Sequence, residues 1–275
     1  MKRALCTLVV GDAYRKRFAA RVAPFLRAYA QAHGLSLVVL DRLLDDSPLG
    51  RSRSPAWQKC LIFRHAKLRA CDQVAWIDAD MLPRPDAPDV FAGVPRDAFG
   101  AVEHFSSPTP ETFALAAANI RAHHRRHGVT GGEEPTPEAF YGRYGYDDFP
   151  DKVVQTGLLV LTPELHGPVL ERAYLEARRP DSREMLFEMR PVSWRLLRAS
   201  AVSWLDPRFN AVWSTTLFSS YPFLADPDFM AACRDRPELF AALKARCLEA
   251  AYAAAHFLHF AGTAGDMDAF SPALP

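Results

Sequence analysis

Two short apolar runs flank one amphipathic helix at the start of the chain, and this restricts the fold more than any other feature. Residues Arg3 to Val10 form the first run, and Gly11-Asp12 breaks it. Tyr14, Phe18, Val22, Phe25, Leu26 and Tyr29 then recur at helical spacing until about Gly34, and Leu35 to Leu40 is apolar again. Strand, helix and strand in this order predict a βαβ unit with a parallel, right-handed pair. A parallel sheet must be covered on both faces, so an α/β architecture follows. With 275 residues, 49% of them hydrophobic, the chain can bury a sizeable core, and a single domain spanning residues 1–275 is expected.

Further along, a loop from Asp45 to Pro55 precedes a helical stretch from Ala56 to Ala70. Gln73 to Ile77 then reads as a buried strand, followed by a turn at Pro83-Arg84-Pro85. Ala98 to Glu103 is another strand. Residues 106–151 shift toward Pro, Gly, His and Tyr, with one helical piece near Glu111 to His124, and are expected to form an insertion, lid or acceptor-side loop. Beyond it lie a strand from Val153 to Leu161 interrupted by Gly157 and helices at Pro163 to Arg178 and Met185 to Ala199. A strand at Val202 to Leu205, an Ala-rich helix at Pro237 to Ala251 and a last strand at His256 to Phe260 complete the pattern.

Composition excludes several classes of partner. Thirty-three basic residues against 32 acidic ones leave a formal charge of +1, so no general attraction to nucleic acid or an acidic membrane is expected. Five cysteines, without a CxxC pair, suit reduced thiols. Lys2-Arg3 before Ala4 to Val10 superficially matches an export signal, but the run is far too short to span a bilayer and has no small-residue cleavage site. The expectation is a cytoplasmic protein with no stable membrane insertion.

The chemistry concentrates at Asp78-Ala79-Asp80. Acids spaced i, i+2 project from the same side of an extended chain, and these stand where an apolar strand leaves its sheet. Ligands of open α/β sheets collect beyond the carboxyl ends of strands, and paired hard oxygens there suit Mg²⁺ or Mn²⁺ on a diphosphate. A solvated turn is the bland alternative for any lone D-x-D.

The run Val-Ala-Trp-Ile-Asp78-Ala-Asp80-Met resembles the D-x-D strand of GT-A glycosyltransferases, in particular the retaining galactosyltransferase-like and glycogenin-like enzymes. Further stretches fit in order: Val9-Val10-Gly11-Asp12 with Tyr14, Trp57-Gln58-Lys59, Gln155-Thr156-Gly157-Leu158-Leu159, Leu205-Asp206-Pro207-Arg208-Phe209-Asn210, and His256-Phe257-Leu258-His259-Phe260-Ala261-Gly262. The resemblance implies a GT-A (Rossmann-like) fold, with a mixed, mainly parallel sheet between helices. It also implies a nucleoside-diphosphate-sugar donor, a UDP-sugar first among them, and a carbohydrate or other hydroxyl acceptor. Asp78, Asp80 and His259 become ligands of Mn²⁺ or Mg²⁺, with Asp78 also at the donor ribose. Val10, Gly11, Asp12 and Tyr14 border the base. Lys59 reaches a phosphate, Thr156 and Gly157 line the sugar site, and Gln155 and Glu188 are the candidates nearest the reaction centre.

Each assignment has a competing structural reading. His259 could be a core histidine, with His256 as the rival ligand; Lys59 could be a solvated helix lysine; and Gly157 could mark an ordinary bulge. Tyr141, Tyr144 and Tyr146 suit either an acceptor platform or a loop pinned by its aromatics. His123, His124 and His127, set among Arg121, Arg125 and Arg126, read as a basic helix end rather than a metal cluster. Relatives carry a lysine after the final Gly, whereas Ala261 to Asp266 contains none. Two other functions fit parts of the pattern: a Mg²⁺-dependent phosphohydrolase of the haloacid dehalogenase type, and a non-catalytic nucleotide or sugar binder.

Overall fold

The computed structural model describes residues 1–128, 134, 136–177, 188–270 and 272. Nine strands are present among them: β1 Arg3–Leu8, β2 Ser36–Leu40, β3 Gln73–Ile77, β4 Met81–Pro83, β5 Ala98–Glu103, β6 Val154–Leu161, β7 Ala201–Trp204, β8 Ala211–Val212 and β9 Phe257–His259. Six form a central sheet in the order β2-β1-β3-β6-β5-β7. The β1–β2, β1–β3 and β5–β7 pairs are parallel, while β6 runs antiparallel to both of its neighbours. The expected mixed, mainly parallel sheet between helices is therefore observed. A small second sheet has the order β4-β9-β8.

Alternation along the strands builds two cores. Leu5, Val9, Ala75 and Ile77 face the long N-terminal helical segment, where Val22, Phe25, Leu26 and Tyr29 are buried. Ala4, Cys6, Val74 and Trp76 face the other side, against Trp57, Leu61, Leu170, Tyr174 and Leu196. The N-terminal helix runs through Asp12–Arg17, a π-turn at Phe18–Val22 and Ala23–Ala32. It stops at Gly34, whose φ of 62° is available to glycine without the Cβ penalty.

Three local predictions need correction. Ala56 to Ala70 is a 3₁₀ segment, Pro55–Arg64, followed by one α-turn, Ala66–Arg69. Every residue from Trp57 to Phe63 is buried, so this segment is packed on all sides and tertiary contacts override helix propensity. Met81–Pro83 is a strand rather than only a turn, because β9 pairs with it. Residues 106–151 contain two helices, Pro110–Arg126 and Pro137–Gly142, with Phe113, Ile120, Phe140 and Tyr141 buried. The predicted helix ends at Arg178 and Met185 lie outside the described residues. No helix among those described is long and apolar enough to cross a membrane.

The loop after β2 is anchored through Asp45. Its carboxylate accepts from the Tyr174 hydroxyl at 2.6 Å and from Ser47 N at 2.9 Å, and the Tyr174 bond leads the interactions that hold its pKa below the usual 3.8. A lowered carboxyl pKa contributes stability that is present above the unfolded-state value and is lost as pH falls through the folded-state value. Tyr174→Phe should therefore cost about 1 kcal/mol at neutral pH. Urea denaturation at several pH values should show this difference shrinking below about pH 4.

Candidate functional site

β1 and β3 are parallel neighbours, so their carboxyl ends open on the same edge of the sheet. Asp78 follows directly from β3 and is tied across to β6 by its amide, which donates to Gly157 O at 2.9 Å. Two residues further on, Asp80 precedes β4. The antiparallel β4–β9 ladder sets Met81 opposite His259, and Phe260 N donates to Asp80 O at 3.0 Å. A histidine 179 positions along the chain from Asp80 is thereby held beside it.

Asp78, Asp80 and His259 offer one ligand atom each, all within 4.8 Å of one another. His259 Nε2 lies 3.3 Å from Asp80 Oδ1 and 3.8 Å from Asp78 Oδ2. The other ring nitrogen, Nδ1, sits 2.8 Å from Asn210 Oδ1, and both side chains are buried. With Asn210 presenting its amide oxygen, Nδ1 carries a proton, and Nε2 is the nitrogen that faces the two carboxylates: it donates to Asp80 when the ring is charged and offers a lone pair when the ring is neutral. Two hard oxygens and one imidazole nitrogen suit Mn²⁺ or Mg²⁺. His256 is not part of this group: its ring packs against Phe209 at 4.8 Å between centroids.

Gly157 makes room for the histidine. A Cβ there would lie 2.5 Å from His259 Cε1 and 2.8 Å from Nδ1, closer than any side chain tolerates. The β5–β6 register jumps between Ala101↔Leu159 and Val102↔Gln155, so Thr156, Gly157 and Leu158 bulge out of that ladder. Gln155 Oε1 accepts from Gly157 N at 3.0 Å and braces the bulge. The bulge is present, as the competing reading of Gly157 supposed, and it borders His259.

Lys59 is buried, not solvated, and carries the positive charge of the site. Its Nζ is 2.6 Å from Glu188 Oε1, 3.1 Å from Asp78 Oδ1 and 3.1 Å from Thr156 O. Thr156 Oγ1 donates to the same Glu188 oxygen at 2.9 Å, and Trp76 Nε1 donates to Asp78 Oδ1 at 2.7 Å. Burial alone would push the ammonium toward neutrality, but Asp78 and Glu188 outweigh it and hold its pKa above the ordinary lysine range. Asp78 is shifted up, by burial first, with Asp80 and Glu188 adding to the rise. Asp80 moves down: burial opposes its charge, but the His259 charge and hydrogen bond prevail. Burial likewise works against a charged His259, and the Asp80 carboxylate reverses the balance and raises its pKa.

The remaining predicted residues surround this group at different distances. Tyr14 is 47% exposed on the first helical turn, and its hydroxyl pKa is raised by burial and by the charges of Asp80 and Asp78. Val10 and Gly11 form the turn leaving β1, with Gly11 at φ 91°, a value that favours glycine. The Asp12 side chain is 92% exposed and faces Arg15 at 3.8 Å. Tyr141 is fully buried, its hydroxyl 2.6 Å from Ser193 Oγ, and Tyr146 stacks on Trp194 at 4.7 Å. Asn210 and Trp76 were assigned no role from sequence; an Asn straight after the apolar Phe209 was the available signal.

No family model matches the chain, and no curated protein matches it in sequence. Solved structures do. The crystal structure of a glycosyltransferase involved in glycosylation of the major capsid of PBCV-1 superposes with a TM-score of 0.52 at 11% identity, over 96% of this chain and 97% of that one. The fold is that of GT-A-like glycosyltransferases. The bifunctional glycosyltransferase WbbM, in its apo structure, gives a TM-score of 0.50 at 12% identity, over 97% of this chain and 49% of that one.

The histidine tautomer makes the geometry testable. Asn210→Ala removes the acceptor that fixes Nδ1–H, and the loss of such a partner typically costs 10–100-fold in metal affinity. Mn²⁺ titration followed by electron paramagnetic resonance should show a loss of about that size, with the far-ultraviolet circular dichroism unchanged. Unaltered affinity would mean that Asn210 does not orient the ring.

Proposed function

We propose that this chain transfers a sugar from a nucleoside-diphosphate sugar, a UDP-sugar first among the candidates, to the hydroxyl of a carbohydrate or other acceptor. The observation that carries this reading is the Asp78–Asp80–His259 group, assembled at the carboxyl edge of the sheet in a glycosyltransferase fold. The donor atoms and the tautomer set by Asn210 fit Mn²⁺ or Mg²⁺. A bound divalent cation would supply Lewis-acid stabilisation of the departing nucleoside diphosphate.

The chain's own residues do the rest by position and charge. Asp78 is tied from three directions, by Trp76, Lys59 and the Gly157 carbonyl, so its carboxylate is fixed before any ligand arrives. Val10, Gly11, Asp12 and Tyr14 are assigned to the base side, at the end of β1. Thr156 and Gly157 are assigned to the sugar side, where the bulge brings backbone close to the site. Gln155 and Glu188 act at that end too: Gln155 braces the bulge, and Glu188 acts through Lys59 and Thr156, which share its Oε1. The acceptor is proposed to enter beside residues 106–151, and transfer to proceed with retention at the anomeric carbon.

Calorimetric titration of nucleoside diphosphates and nucleotide sugars, with and without Mn²⁺, tests the reading. One nucleotide should bind tightly only with metal, and Asp80→Asn should lose that binding and reduce sugar transfer by at least about 100-fold while the protein stays folded. Metal-dependent phosphate release from simple esters, with no nucleotide bound, would point instead to a phosphohydrolase. Nucleotide binding without turnover on any acceptor or water would leave a binding protein.

A further inference from the structure

The helix Pro110–Arg126 ends in a run of histidines and arginines that the Asp78–Asp80–His259 group does not include. In sequence the three histidines and three arginines are mixed, but the helix separates them by face. Residues four apart are neighbours on one face, and the last turn is closed between two histidines: His127 N donates to His123 O at 3.2 Å. Their rings stand 4.4 Å apart between centroids and are inclined at 46° rather than stacked. His124 belongs to the next face, with its ring centre 6.3 Å from that of His123.

That spacing suits chelation. With a metal–nitrogen bond of about 2.1 Å, two imidazoles in adjacent positions on one ion have their centres about 4.5–5 Å apart. The His123 ring is half-buried and held edge-on against Phe218, with 5.3 Å between centroids, while His127 is exposed. Burial, followed by the charges of His127, His124 and Arg126, lowers the His123 pKa, so this ring is neutral at pH 7 and keeps a lone pair. Arg126 faces Asp226 at 3.8 Å, and both side chains are solvated, which screens the guanidinium.

We propose that His123 and His127 form a second metal site, a chelating pair for a borderline divalent ion such as Ni²⁺, Cu²⁺ or Zn²⁺. Imidazole suits these ions, whereas the carboxylates of Asp78 and Asp80 suit Mg²⁺ and Mn²⁺, so the two places differ in metal preference. Among the described residues no third His, Cys, Asp or Glu joins the pair, and water completes the coordination. A cleft of about 470 Å³ between the two rings and Ala225, Pro227 and Ala231 gives that water room. An ion held by both rings bridges the first and last residues of the final helical turn and opposes its fraying. The site does not depend on the donor reading given above.

Asp80→Asn supplies a background in which the pair can be measured apart from the aspartate group. Calorimetric titration of that protein with Ni²⁺ should show binding that His123→Ala and His127→Ala each weaken by at least about 10-fold, since even the loss of a ligand's supporting partner costs that much. His124→Ala should leave the affinity unchanged. His127 is exposed, so its replacement tests the site without disturbing packing, and the far-ultraviolet circular dichroism should not change. With Cu²⁺ in place of Ni²⁺, electron paramagnetic resonance should show hyperfine splitting from two imidazole nitrogens, reduced to one by His127→Ala. Three outcomes overturn the site: Ni²⁺ binding that disappears with Asp80→Asn alone, binding indifferent to His127→Ala, or binding weakened as much by His124→Ala as by His127→Ala.

Discussion

A buried ammonium makes the rest of the site possible. Asp78 and Glu188 come from distant parts of the chain, and each carries a charge that burial would penalise by several kcal/mol. Lys59 stands between them and also donates to the carbonyl of Thr156, so one cation satisfies a strand end, a strand bulge and a helix start at once. Trp57 to Phe63 cover the whole circumference of the 3₁₀ segment Pro55–Arg64, and all seven are buried because the segment is enclosed, with the sheet and the helix Pro163–Glu176 among its neighbours. The cost of an unusual backbone is offset by apolar burial of Trp57, Leu61 and Ile62, which delivers the lysine to a place that water does not reach.

The charge arrangement also explains why the two aspartates differ. Asp78 has the ammonium, an indole N–H and a backbone tie to β6, while Asp80 has the imidazole. Their pKa values move in opposite directions from the same starting chemistry, which places the greater negative character on Asp80. Asp78 is held by several partners, whereas His259 is the main partner of the Asp80 carboxylate.

Much of the frame was legible because burial leaves a mark on composition. The runs Arg3 to Val10, Gln73 to Ile77 and Val153 to Leu161 read as strands, and the Tyr14 to Tyr29 periodicity read as a helix, since each must present apolar groups to a sheet face or a core. Strand direction left no such mark: β6 is antiparallel to β3 and β5, yet its composition is that of any strand buried on both faces. β4 was hidden for a different reason. Its three residues end in a proline and acquire strand character only through pairing with β9, a partner far along the chain. The choice between His259 and His256 likewise turned on that pairing, which aims one ring at the aspartates and the other at Phe209.

Asn210 and Gly157 show how closely fold and chemistry are joined here. The histidine ring occupies the space that a side chain at 157 would fill, and its tautomer depends on an amide from the end of a 3₁₀ turn. Neither residue carries a charge or a reactive atom: Asn210 drew no role from the sequence, and Gly157 was assigned to the sugar site only through the resemblance. A Cβ at position 157 would lie 2.5 Å from the ring and force the imidazole out of its place. The bulge in β6 thus leaves room for the ring, and the small sheet β4-β9-β8 holds the imidazole beside the two carboxylates.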